Sequence, residues 1–146
     1  MLWLAGCCPL TGNAAAWSLA TKRPGGGALV GSYLADWILA ASNDTWKRGQ
    51  IELLSDGTAR VTDFPIISSQ YGVFSTPGAP ATLSGEGRWR VEEETVGATA
   101  CFNVVITIDG VDHSVRVWHN TPPHELWIQV GDEDNDDGVL FRPVRS

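Results

Sequence analysis

The stretch Phe102-Asn103-Val104-Val105-Ile106-Thr107-Ile108-Asp109-Gly110-Val111-Asp112-His113-Ser114-Val115-Arg116-Val117-Trp118-His119 decides the fold. Asp-Gly is a strong signal for a two-residue type I′ turn, in which both central residues need φ > 0. A turn at Asp109-Gly110 sets Ile108 opposite Val111, Ile106 opposite His113, Val104 opposite Val115 and Phe102 opposite Val117. All of these except His113 are apolar and share one face, while Asn103, Thr107, Asp112, Ser114 and Arg116 take the other. A slip of one residue would turn the whole apolar set to solvent, so turn chemistry and side-chain pattern agree on one register. The segment reads as an antiparallel hairpin with one buried face.

The same two-residue period extends in both directions. Gln50-Ile51-Glu52-Leu53 and Ala59-Arg60-Val61-Thr62 flank Ser55-Asp56-Gly57, a second hairpin turn. Leu83, Gly85, Gly87, Trp89 and Val91 alternate with Ser84, Glu86, Arg88 and Arg90, a half-buried strand with a charged outer face. Leu126, Ile128 and Val130 continue the pattern, as do Val139 and Phe141 beyond an acidic turn. With Leu29 to Leu34 added, about eight strands follow one another through short connections. An open meander of that size exposes two edges, and closure into an up-and-down barrel removes them. Two segments interrupt the regularity. Trp37, Ile38 and Ala41 stand at helical spacing and predict a short helix over Ala35 to Trp46. Phe64 to Ala81 is a long Ser/Gly/Pro-containing connection carrying Tyr71 and Phe74.

Composition bounds the function. The chain has 146 residues, 43% hydrophobic and 18% charged, which suits one globular domain. Net charge is −7, which argues against a nucleic-acid partner. Five of the seventeen acidic residues fall in Gly131-Asp132-Glu133-Asp134-Asn135-Asp136-Asp137-Gly138, so the acidity is one local loop. Asp132, Asp134 and Asp136 form a candidate Ca²⁺ loop, although an EF-hand needs Gly at its sixth position and a carboxylate at its twelfth. Asp137 and Pro143 stand there instead. A solvated turn is the favoured reading, and no cofactor is implied.

No GxSxG, HExxH, Walker or dinucleotide-binding motif is present, and no nucleophile–base constellation emerges, so the chain reads as non-enzymatic. His113 and His119 share strand parity, but at ~3.3 Å per residue they are about 20 Å apart and cannot share a metal. His119 and His124 flank Asn120-Thr121-Pro122-Pro123 and converge across that turn at most as two ligands, so they read as loop histidines. Trp118 and Trp127 fall on the outward set, where packing under a covering segment is favoured over an exposed patch.

The first residues divide differently. Leu4-Ala5-Gly6-Cys7 resembles the lipobox of bacterial lipoproteins, whose signal peptidase cuts before a cysteine that carries a diacylglyceryl group. That resemblance implies residues 1–7 as the remnant of a lipoprotein signal, lipidation at Cys7, and anchoring in the bacterial cell envelope. A chance match would leave a cytoplasmic chain. Residues 8–27, with Pro9, three consecutive alanines and Gly25-Gly26-Gly27, read as a flexible tether to a single barrel domain over 28–144. Cys101, far from Cys7 and Cys8, reads as a buried free thiol.

Gly31-Ser32-Tyr33 on the first strand resembles the G-x-W of lipocalins, with Tyr in place of Trp. With the repeated hairpins, the chain looks like small uncharacterised bacterial lipoproteins of calycin-like shape. The resemblance implies a lipocalin-like barrel and an apolar ligand, and no known reaction. Gly85 and Gly87 leave volume beside Trp89, so a ligand pocket is expected inside the barrel, lined by Ile51, Trp89, Val104, Ile106, His113 and Val115. The function expected is a membrane-tethered binding module for a small apolar or amphipathic ligand, with no protein partner indicated. The alternative is a structural or protein-interaction domain with a filled core, using the Tyr71/Phe74 loop or the Trp118/Trp127 edge.

Overall fold

A computed structural model describes residues 19–25, 27–38, 48–65, 82–96, 99–129 and 138–144. Eight antiparallel strands run β1 (Gly31–Ile38), β2 (Gln50–Leu53), β3 (Thr58–Pro65), β4 (Thr82–Val96), β5 (Thr99–Ile108), β6 (Val111–Trp118), β7 (Glu125–Gln129) and β8 (Gly138–Pro143). Each pairs with its neighbour in sequence, and β1 pairs with β8, so the barrel is closed. Closure gives a short meander no open edge between its first and last strands.

The turns follow the chemistry of their residues. Asp109 (φ 51) and Gly110 (φ 80) take the left-handed conformations that a type I′ turn requires. The pairs Ile108–Val111, Ile106–His113 and Val104–Val115 follow in register. At the β2–β3 turn the Asp56 carboxylate accepts the Thr58 N–H at 2.9 Å, and Gly57 sits at φ 90. Donation from the Thr58 N–H holds the Asp56 carboxyl below its usual range. The register of β3 against β4 shifts between Val61 and Phe64, where Asp63 adopts φ 47. This bulge bends β3 around the barrel.

Inward side chains form one apolar cluster, with Phe141, Ile51, Leu53, Val104, Ile106 and Leu126 among those fully buried. Near one end Phe64 stacks on Phe141 at 6.2 Å. On the outer face, Trp118 and Trp127 stack at 5.0 Å and pack with Leu140 and Leu19. Both indoles are buried, so this edge is a packed cluster and offers no exposed contact surface. Gly138 is necessary to it, because a Cβ there would lie 2.2 Å from the Trp127 ring.

Three expectations meet different geometry. The helix expected over Ala35 to Trp46 is absent from its first four residues: Ala35 to Ile38 continue β1 and pair with Phe141, Leu140 and Val139 of β8. Residues 39–47 lie outside the described residues. The stretch read as tether includes Leu19 to Gly25, which is docked on the barrel. Ala20 is fully buried and its N–H donates to the Val117 carbonyl at 3.0 Å, Leu19 bridges to Trp118, and Arg23 lies over the Phe102 ring. Cys101 is no free thiol. It is disulfide-bonded, and the only other cysteines of the chain are Cys7 and Cys8. The acidic turn with Asp132, Asp134 and Asp136 lies outside the described residues, as do Tyr71 and Phe74.

Candidate functional site

The residues expected to line an internal pocket do converge on the inner face. Trp89, Ile106 and His113 form one cross-strand row, and Val91, Val104 and Val115 the next. Ile51, Val104, Ile106 and Val115 are fully buried within the common apolar cluster. Trp89 is partly buried and donates its indole N–H to the Leu54 carbonyl at 2.8 Å. His113 meets the Phe64 ring edge-on at 5.7 Å.

The glycines that suggested free volume have another reason to be glycine. A Cβ on Gly85 would touch Ile108 at 3.3 Å, and one on Gly87 would overlap the Thr107 carbonyl oxygen at 1.9 Å. Ile108 and the β5 backbone take that space, so Gly87 permits close strand approach.

Partial burial pushes the His113 imidazole below its ordinary pKa, with the neighbouring Asp112 pulling weakly the other way. The folded protein therefore keeps His113 neutral at pH values where the unfolded chain binds a proton. Its contribution to stability is complete above about pH 6.5, the unfolded value. It is lost as pH falls through the depressed folded value. Chemical denaturation at pH 7.5 and 5.5 is expected to show a smaller drop for His113→Phe than for wild type. An equal drop in both would remove His113 as the cause.

A second site lies at the barrel end where β1 begins, β8 finishes and β6 turns into β7. An open cavity of about 540 Å³ is lined by Ala28, Val30, Gly31, Ser32, Tyr33, Pro122, Pro123, His124, Pro143 and Val144. Each wall has a local cause. Gly31 enters β1 at φ 144, a conformation that favours glycine. Tyr33, buried, donates its hydroxyl to the Leu29 carbonyl at 2.7 Å, and desolvation pushes its pKa up to about 12. The Val144 N–H donates to the Ser32 carbonyl at 2.8 Å and holds the end of β8 against β1.

The β6–β7 turn forms the other wall and is held at both of its ends. The Asn120 side-chain oxygen accepts the N–H groups of Thr21 and Lys22 at 2.7 and 3.0 Å. Glu125 binds the His119 Nε2 at 2.8 Å and accepts from Arg142 Nε at 2.9 Å, and Arg142 also pairs with Asp36. Between these fixed points His124 is buried, 2% exposed, with Nδ1 bonded to the His119 carbonyl at 2.9 Å.

His119 and His124 thus do converge across Asn120 to Pro123, but through a ring-to-backbone bond and not as two metal ligands. Among the described residues no three His, Cys, Asp or Glu side chains come together as a metal site. Asp36 is paired with Arg142, and His113 packs against Phe64. Sequence reasoning read His124 as a loop histidine, whereas the fold buries it. Its signal was local, a histidine directly after Pro122-Pro123, but its burial depends on β1 and β8, which are remote in sequence. No family model matches the chain, and no curated protein or solved structure matches it.

Proposed function

We propose that this β-barrel is an envelope-tethered, non-enzymatic binding module for a small apolar or amphipathic ligand, held in the groove beside His124. The observation that carries this reading is the groove's lining. Val30 and Val144 are two of the large hydrophobic residues left exposed, at 39% and 48%, and they meet there with Pro122, Pro123 and Pro143. Aliphatic walls around a few placed polar groups are the usual makeup of small-molecule sites. Tethering rests on the lipobox resemblance at Leu4 to Cys7. The disulfide bond at Cys101 is consistent with it, since such bonds persist in oxidising compartments.

A second reading, a structural or interaction domain with a filled core, is favoured by the full burial of Ile51, Val104, Ile106 and Val115. Native mass spectrometry with lipid extraction separates the two. A co-purified small molecule lost in Val144→Asp is the expected result, and an empty domain from its native host favours the second reading. For the tether, wild-type precursor is expected to fractionate with membranes and label with palmitate, and Cys7→Ser to do neither. A soluble, unlabelled wild type would overturn lipid attachment.

A further inference from the structure

We infer that the far half of β4, Val91 to Thr95, is a docking edge on which an extended, lysine- or arginine-rich segment of another protein adds as a further strand. The site is separate from the groove and does not rest on the ligand reading above. Closure hides the edges of a barrel only over the length that neighbouring strands share. β4 outruns β3. Its pairing with β3 ends at Arg88 opposite Thr58, and the Trp89 N–H closes that ladder on the Gly57 carbonyl at 2.9 Å. Beyond this point β4 continues to Val96 in register with β5, from Glu92 opposite Asn103 to Val96 opposite Thr99. Hydrogen-bonding direction alternates along a strand. Since Trp89 donates toward β3, the N–H and C=O groups of Val91, Glu93 and Thr95 point to that same side. Among the described residues nothing hydrogen-bonds to them there.

The side chains choose the occupant. Glu92, Glu93, Glu94 and Thr95 are all exposed. Arg90 answers Glu92 at 2.8 Å and Asp112 at 3.2 Å. Glu94 accepts from the Asn103 amide, and Glu93 from the Thr95 hydroxyl at 3.5 Å, so among the described residues neither carboxylate has an ion pair. A second copy of the chain is a poor occupant. The antiparallel pairing that overlaps Val91 to Thr95 in full sets Glu93 against Glu93 and Glu92 against Glu94, and like charges directly opposite destabilise a sheet. A segment with Lys or Arg at those positions reverses the sign of each pair. Main-chain bonds then give affinity and the carboxylates give specificity, as when a peptide extends a sheet elsewhere. The edge is formed in advance: Phe102, opposite Glu93, is buried with Arg23 over its ring. Little ordering of the barrel is left to oppose association.

The test uses the full chain and two blocked peptides of about seven residues, within the usual length of a strand. One alternates lysine with valine and the other glutamate with valine. The lysine peptide is expected to bind about tenfold tighter or more, since like charges suppress the wrong partner. It should also slow amide exchange at Val91, Glu93 and Thr95, while Glu92 and Glu94, already bonded to β5, change little. Glu93→Pro removes one outward N–H and leaves the β5 ladder intact, as proline on an edge strand can. It is expected to weaken binding far more than Glu93→Gln, which removes only the charge. Binding of the lysine peptide with those three amides unprotected would reduce the contact to charge attraction and overturn strand addition. Binding of neither peptide would overturn it as well. Dimerisation of the chain with the same amides protected would give the edge to a second copy and overturn the basic partner.

Discussion

Gly87→Ala is expected to destabilise the barrel by about 3 kcal/mol or more, while Gly85→Ala costs about 1 kcal/mol or less. The two glycines lie on the same strand and the same inward set, yet what a methyl group meets differs. At Gly87 it would overlap the Thr107 backbone oxygen at 1.9 Å, and the carbon behind it at 2.9 Å. Backbone cannot rotate away as a side chain can, so β5 would have to separate from β4. At Gly85 the methyl would meet only the Ile108 Cγ2 atom at 3.3 Å, a contact that a side chain can relax. Urea denaturation of both variants measures the contrast. If Gly87→Ala is as stable as wild type, close approach of the strands is not why that residue is glycine. The volume once expected for a ligand would then have to be reconsidered.

Reduction of the disulfide, or Cys101→Ser, is expected to lower stability by about 2–4 kcal/mol. Cys101 is fully buried near the start of β5 and is disulfide-bonded. On the chain-entropy account a disulfide restricts the unfolded ensemble, and more so the longer the loop it closes. Melting with and without reductant checks this: wild type should lose stability, and Cys101→Ser should be insensitive. A wild type unmoved by reductant would count against the bond. The partner matters for function as well. A thioether at Cys7 leaves that sulfur unavailable, so lipid attachment requires Cys8→Ser, and not Cys7→Ser, to reproduce the loss seen for Cys101→Ser. Non-reducing peptide mapping that joins Cys101 to Cys7 would rule out lipidation at that atom.

Much of the barrel is local chemistry and was legible residue by residue. Asp109-Gly110 can turn only one way, and the two-residue alternation on either side then leaves one register that buries Ile106 and Val104. Asp56 and Gly57 act likewise between β2 and β3. Where the local signal was ambiguous, partners decided. Trp37, Ile38 and Ala41 stand at helical spacing, but Ile38 is held opposite Val139 of β8, and hydrogen bonding across that seam outweighs a weak helical preference. Composition was likewise a poor guide at Leu19 to Gly25. Small residues and glycines read as flexible, yet Ala20 has a Val117 carbonyl to bind and a core to enter.

By itself, then, the sequence determined the strands, their order and which face of each is apolar, because turns and alternation act between residues near in the chain. The closed seam of β1 with β8, the docked N-terminal segment, the bond at Cys101 and the groove around His124 were decided only by tertiary structure. Each joins groups tens of residues apart, and no local pattern records which distant backbone will meet a histidine ring or a glycine once the sheet curls and closes.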